Sequence, residues 1–505
     1  MLTIFATTDK ILDIQEIIDA EFRLNEIVSI KNLDSINEAI GSNYLIINQN
    51  EIKNPIHWSN EEPPYLLANP IDLNKNNLLA IIYFRLNNYE KAYEFAENNA
   101  ILLTDIDTFN CIKHGIALNV DIDISPIESF QKFNIYRHWH NLAIKSYYGE
   151  TINFVNVYQI KNFYEKAIDL APNDEYCAFS AKHFASLLLD VDELENAATL
   201  LENSINKAIS DDAKYELKNI QYGVWLKQLG IPYDTNLLEK IKTTLWEVLQ
   251  YYEKQQNQVQ IALILIDAAQ IANISESFTE SLGYINRAVE ILRKEDIPEL
   301  LANAQYRKGV LFYTWAQNGS IQFYKPAMEA YQEALKVFSY DNAPDVFAEI
   351  QHHLGVIYSE IPDEIKKKGL WAAVSVSSFN QALNHFTRET HPFEYAMICN
   401  SYANALTKYP PSVKGDNYAK ALGFYRQALE IRSAEEFPYE RALTMLNFLE
   451  ACWYVNHENE LQEQTLFDEM TAKAKEVHQL TTDVNLLADA QRHLNKIQEL
   501  SKMMV

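Results

Sequence analysis

Few residues of this chain stand at spacings that could do chemistry. Asn400, Asn404 and Lys408 recur every four residues, so on a helix they share one face. Two amides so placed can hold a peptide backbone, which offers one donor and one acceptor per residue, and the ammonium can meet a carboxylate. The stretch CIKH puts Cys111 and His114 on one helical face, but two ligands are too few for a metal, and both are expected to pack. In RHWH, His138 and His140 lie two apart and point to different sides of a helix, while His352 and His353 are adjacent and diverge. Cys399 or Cys452 would act as a nucleophile only with a histidine brought near by the fold; a buried structural thiol is the expectation. The run KKK (366–368), close to Pro362, reads as a solvated inter-helix loop that offers at most an electrostatic contact. No GxxxxGK[ST], GxGxxG, HExxH, GxSxG or EF-hand pattern occurs, and 12 glycines leave little material for phosphate loops. No catalytic residue, no metal and no cofactor are expected.

The elements that carry these residues follow from composition and repeat. The chain has 505 residues, is 48% hydrophobic and contains only 12 Gly and 15 Pro, which favours long helices over many short strands and turns. Its net charge of −26 repels phosphate backbones, so a protein partner of neutral or basic character is expected and a nucleic acid is not. Four scattered cysteines, none in a CxxC, point to a reducing compartment. The start MLTIFATTDK has no basic stretch leading into an apolar one, and the longest near-apolar run, 261–272, is too short to span a bilayer. A cytoplasmic location with no membrane partner is the expectation.

Four prolines, Pro298, Pro344, Pro392 and Pro438, are 46, 48 and 46 residues apart, and each has an alanine four residues on: Ala302, Ala348, Ala396 and Ala442. Ten residues before each stands another alanine, Ala288, Ala334, Ala382 or Ala428, preceded on the same helical face by an apolar or aromatic side chain. Eleven residues after each proline is Gly309, Gly355, Ala403 or, as a departure, Leu449. This pattern predicts pairs of helices. The proline opens helix A, where its missing N–H costs nothing. The small residues let two backbones approach, and the aromatics fill the space beside them. A helix pair cannot bury its apolar face alone, so pairs stack.

The small residue of helix A and the alanine of helix B, with Tyr or Phe between, resemble tetratricopeptide (TPR) repeats. Ala269 and Ala288 are 19 residues apart, which suits the family's unit of about 34 residues. The stretches 76–100, 163–174 and 178–208 resemble further units, and the 46-residue units resemble TPR arrays found beside bacterial caspase-like CHAT domains. The resemblance implies a mainly α fold: a right-handed α-solenoid of antiparallel helix pairs, about eight or nine units over 70–480, closed by a capping helix in 483–505. It implies a concave groove lined by helix A, and the family's groove positions fall on Tyr306, Tyr313, His352, Asn400, Asn404, Lys408 and Trp453, among others. Asn400, Asn404 and Lys408 look partly like the carboxylate clamp of chaperone-binding TPR domains. The next unit offers Leu443 and Leu446 where that clamp needs basic residues, so an extended or helical peptide suits the groove better than an acidic tail.

Ahead of the array, 2–6, 26–30 and 44–48 are short β-type runs with helical spacing between them, a small α/β unit over 1–65, and NEEPPY (60–65) reads as a polar linker. The unit is expected either to cap the first repeat or to dock a partner, since some fifty residues are few for an independent core. The function expected is a non-catalytic protein–protein interaction scaffold that binds a protein or peptide in a TPR groove. The alternative is a sensor or regulatory subunit of a bacterial signalling or defence system whose effector is on another chain.

Overall fold

The computed structural model describes residues 2–38, 43–58, 63–120, 132–230, 233–362, 365–411, 415–456 and 460–503. The chain divides into two compact units, Met1–Asn257 and Gln258–Val505.

The first unit opens with β1 (Leu2–Ala6), α1 (Ile11–Asp19), β2 (Val28–Asn32), β3 (Tyr44–Asn48), β4 (Glu51–Lys53) and β5 (Ile71–Asp72). They form one sheet of order β2-β1-β3-β4-β5, parallel across the first three strands and antiparallel beyond. Leu2, Ile4, Leu45 and Ile47 are fully buried, as parallel strands covered on their faces should be. The second expected helix is a 3₁₀ segment, Leu33–Glu38, in its described part. Among the described residues nine helices follow: α2 (Lys75–Arg85), α3 (Tyr89–Ala96), α4 (Ala100–Lys113), α5 (Lys132–Tyr148), α6 (Val157–Leu170), α7 (Asp174–Asp190), α8 (Leu194–Ile205), α9 (Asp211–Gln228) and α10 (Thr235–Gln255). α2 packs on α3, α5 on α6, α7 on α8 and α9 on α10.

One apolar cluster runs from Leu2 of β1 to Val224 of α9, so the α/β segment has no core apart from the helices. The expected polar linker differs from what is found. Residues 60–62 lie outside the described residues, and Pro63, Pro64 and Tyr65 are buried. The backbone there is held by helix side chains. Asn141 Oδ1 accepts from Leu66 N at 2.9 Å and Asn141 Nδ2 donates to Leu66 O at 2.8 Å. Asp105 accepts from Tyr65 Oη at 3.1 Å and Ala68 N at 2.8 Å, and pairs with Arg137 at 2.5 Å. Extended backbone set among helices must find such partners, because unpaired buried N–H and C=O groups are costly.

The second unit holds α11 (Gln258–Ile274), α12 (Phe278–Glu295), α13 (Pro298–Gln317), α14 (Tyr324–Ala334), α15 (Pro344–Glu360), α16 (Ile365–His385), α17 (Pro392–Leu406), α18 (Asn417–Ile431), α19 (Pro438–Cys452), α20 (Glu460–Leu480) and α21 (Val484–Met503). Successive helices pair as α11/α12, α13/α14, α15/α16, α17/α18 and α19/α20. Each repeated proline is the first residue of its helix. The small residues do what their spacing predicts. A Cβ on Gly309 would stand 2.6 Å from the Tyr331 ring, and one on Gly355 would stand 3.0 Å from Phe379. Leu449, which breaks the small-residue pattern, is fully buried in the apolar cluster that also holds Met470 and Ala474 of α20. The apolar run 261–272 is the buried body of α11. The run 366–368 is not a loop: it lies in the first turn of α16, with Lys367 and Lys368 exposed. Residues added between helices A and B have here lengthened helix B.

Candidate partner-binding face

The seven groove residues expected from the sequence all lie in the second unit, on or just past α13, α15, α17 and α19. Helix A of one unit packs directly on helix A of the next, α13 on α15 and α15 on α17. Tyr306, His352, Asn400 and Leu446 each stand eight residues after their proline and form a row across these helices.

Most of the seven are engaged within the unit. Tyr306 hydrogen-bonds Glu349 and lies 6.3 Å from the Tyr331 ring. The Tyr313 ring stacks on His353 at 4.5 Å, and His353 Nδ1 meets Tyr331 Oη at 2.8 Å. Asn404 Oδ1 accepts from Tyr425 Oη at 2.6 Å, which ties helix A to helix B. Lys408 is ion-paired with Glu360 at the end of α15. Trp453 Nε1 donates to His493 Nδ1 of α21 at 2.9 Å, and Lys496 lies over its indole at 4.0 Å.

His352 and Asn400 differ. His352 is 4% exposed, and neither ring nitrogen has a hydrogen-bond partner; Asn400 Oδ1 is buried and likewise unpaired. Among the described residues these are the unpaired buried side-chain polar atoms of the second unit, whereas the first unit has its own at other kinds of position. Burial, with a smaller contribution from neighbouring His353, pushes the His352 imidazole down to about 3, so it is neutral. A neutral imidazole keeps one donor and one acceptor.

The other candidates are structural. His140 is fully buried, with Nδ1 2.9 Å from Ser180 Oγ and Nε2 2.8 Å from Pro64 O, and burial pushes it down to about 4. Cys111 is half-buried on α4, and His114 is exposed at that helix's C-cap, so it does not pack as expected. Cys399 and Cys452 are buried, and burial raises both thiols, Cys399 to about 12, which removes the thiolate that a nucleophile needs. A cleft of about 320 Å³ lies beside the α/β segment, bounded by Tyr44, His57, Trp58, Glu175 and Asp212. Its two carboxylates are already used: Glu175 accepts from Trp58 Nε1 at 2.8 Å and from Ser210 N and Oγ at 2.9 and 2.6 Å, and Asp212 accepts from Tyr251 Oη.

One cluster was not foreseen. Asp345, His385 and His391 converge at the junction where α15 begins, α16 ends and α17 begins. They are 40 and 6 residues apart in sequence, so local spacing does not link them. The signal that does is their place relative to the prolines: one residue after Pro344, seven before Pro392 and one before Pro392.

No family model matches the chain, and no curated protein matches it. Among solved structures it is similar to a signal transduction ATPase with numerous domains (STAND) protein with a tetratricopeptide repeat sensor, from Pyrococcus horikoshii. The identity is 14% and the TM-score 0.50, over 99% of this chain and 78% of that one. It also matches the P58(IPK) TPR domain, at 12% identity and TM-score 0.25 over 85% of this chain and 98% of that one. Yeast Tom70 matches at 12% and 0.22, over 84% and 95%. The last two scores add nothing to the assignment. The fold is that of a TPR-type α-solenoid of antiparallel helix pairs, preceded by a small α/β unit. Among the described residues no helix is long and apolar enough to cross a membrane.

Proposed function

We propose that this chain is a non-catalytic interaction scaffold whose second unit binds a protein or peptide segment along the helix A row of α13, α15, α17 and α19. The observation that carries the reading is the unmet hydrogen-bonding capacity of His352 and Asn400, at one repeat position on adjacent helices. A buried polar group without a partner costs about 1–3 kcal/mol. A bound backbone would offset that cost, its N–H meeting Asn400 Oδ1 and its N–H and C=O meeting the imidazole. Tyr306, half-buried on α13, flanks them with an aromatic side chain, while Leu446 at the same position of α19 is buried in the core. Lys408 is neutralised by Glu360, so a carboxylate anchor there is secondary. The net charge of −26 suits a neutral or basic segment. In this reading residues 1–65 cap a cytoplasmic array over 70–480 and 483–505 close it. The engaged carboxylates of the 320 Å³ cleft favour a cap over a catalytic fragment.

The test is capture from the native host with the tagged chain at low and high salt, with wild type beside His352→Leu/Asn400→Leu. A stoichiometric partner that survives high salt and is lost from the double variant is the expected result. A partner retained equally by both overturns the site. The second reading, a sensor or regulatory subunit of a bacterial signalling or defence system, is favoured by the likeness to the TPR-sensor STAND protein. It moves ahead if the captured partner carries an effector domain.

A further inference from the structure

We propose that Asp345, His385 and His391 form a binding site for a divalent transition-metal cation at the junction of α15, α16 and α17. One donor atom of each lies within 4.8 Å of the other two. His385 Nε2 is 2.5 Å from an Asp345 carboxylate oxygen, and the two imidazole rings are 5.4 Å apart. His391 Nδ1 is tied to Thr390 Oγ1 at 2.9 Å, and Thr390 Oγ1 to Thr387 Oγ1 at 2.9 Å. That chain fixes the His391 ring through Nδ1, the arrangement in which a second partner orients a metal-binding imidazole, and the proposal assigns the ion to Nε2. Two imidazoles and one carboxylate are a donor set for Zn²⁺, Co²⁺ or Fe²⁺, with the remaining positions open to water.

The repeat supplies an independent argument. At the next junction the equivalent places, counted from Pro392 and Pro438, hold Phe393, Ile431 and Phe437, and the two phenyl rings are 5.6 Å apart. At the preceding one they hold Glu299, Val337 and Ala343. At the two histidine positions packing is therefore met by apolar side chains in both neighbouring junctions and does not call for histidine, while the carboxylate position holds Glu299 in one and Phe393 in the other. Helix capping does not call for it either, because His391 is the N-cap of α17 and its side chain makes no cap bond. An ion pair between Asp345 and His385 accounts for two of the three residues; His391 packs its ring 5.2 Å from Phe386 and 5.4 Å from His385, contacts that a phenyl ring could make as well. Metal bonds of about 2.0–2.2 Å need donors about 3.3 Å apart, so the Asp345–His385 pair, at 2.5 Å, must open to admit the ion. Asp345, whose side chain is 74% exposed at the start of α15, can turn to do so. A bound ion would then fasten three helix ends of the array together.

The test uses the full chain, stripped with a chelator and titrated with Zn²⁺ by calorimetry, with Co²⁺ as a spectroscopic probe. The variants His385→Ile and His391→Phe install the residues of the next junction, so they are built to fold, and circular dichroism checks that they do. The expected result is one Zn²⁺ per chain, an affinity at least about 100-fold lower in either variant, and intense Co²⁺ d–d bands present only in wild type. Thr390→Val, which touches only the orientation of His391, is expected to weaken binding about 10-fold. Absence of Zn²⁺ uptake by wild type overturns the proposal. So does uptake that persists in the double variant, or a Co²⁺ spectrum of the hydrated ion in every chain. If Asp345→Asn then changes stability alone, the cluster is an ion pair and no metal site.

Discussion

Most helices of the first unit and the A helices of the second start differently, while α18 of the second unit is capped by Asp416 as the first unit's helices are. In the first, α2, α3, α4, α6, α7, α9 and α10 each begin behind an Asn, Ser or Asp side chain that accepts from the helix's first turn, and Asn156 with Gln159 forms a full capping box. In the second, α13, α15, α17 and α19 begin on proline behind Ile297, Ala343, His391 and Phe437, none of which makes a side-chain cap bond. A polar cap sets a helix start locally. A proline also removes one orphan donor, and packing of the small-on-aromatic kind sets the rest. The difference teaches that the residue before each proline is released from capping. It is free to be apolar, as three are, or to carry chemistry, as His391 is proposed to do.

Breaking the first unit's polar fastening should have the largest effect. Asp105→Ala removes one partner of the buried Arg137 pair together with the acceptor of Tyr65 and Ala68, and should cost about 3–5 kcal/mol, read as an earlier denaturant midpoint of the first unit. A cost below about 1 kcal/mol would contradict the role given to that network.

Acid sharpens the contrast between two of the buried histidines, His140 and His352. His140 and His352 are pushed down to about 4 and about 3 by burial. A histidine whose folded value lies below its unfolded value of about 6.5 gains its proton preferentially on unfolding. Its contribution is therefore intact above that value and is lost as pH falls from about 6.5 toward 4, on the order of 3 kcal/mol for each. His352→Leu should flatten this acid loss in the second unit at little cost at pH 7, because no hydrogen bond is removed. His140→Leu should cost about 1–3 kcal/mol at pH 7, because Ser180 and Pro64 O lose their partner. Thermal unfolding from pH 7 down to 4 checks both, and equal costs at pH 7 would erase the distinction.

Glycine substitutions come next. Gly309→Ala drives a methyl into the Tyr331 ring and should cost about 1–3 kcal/mol, despite alanine's better helix propensity. Gly223→Ala in α9 and Gly423→Ala in α18, where nothing lies within 4 Å, should each gain about 0.5–1 kcal/mol. Melting temperatures of the three variants decide it, and a gain at Gly309 would mean the close approach is not needed. Asn156→Ala should cost about 1 kcal/mol, taken from the first unit alone. A matching shift in the second unit's transition would show that the two starts are not set separately.

Much of the second unit was legible because its signals are periodic. The prolines mark helix starts to the residue, and Gly309 and Gly355 sit under the aromatics that the spacing pairs with them. What was not legible depends on side-chain partners or distant residues. Pro63–Tyr65 reads as polar linker, yet it is buried because Asn141 and Asp105, from α5 and α4, satisfy the backbone beside it. KKK reads as loop because its charge is local, while α16 extends through it on the strength of what packs further along. The row Tyr306, His352, Asn400 and Leu446 could be named from the repeat. That two members would be unpaired, while Asn404 and Lys408 are spent on Tyr425 and Glu360, depends on rotamers that no spacing encodes. The Asp345–His385–His391 cluster needed the proline alignment before its residues could be compared at all.

The most direct test of the central claim is the dissociation constant of the captured partner for wild type and for His352→Leu/Asn400→Leu, with each chain's unfolding midpoint measured alongside. The account predicts an affinity loss of at least about 10-fold, which corresponds to about 1.4 kcal/mol, with a midpoint at pH 7 that is unchanged or higher. An unchanged dissociation constant in an equally stable variant would contradict it and place the binding surface elsewhere on the chain.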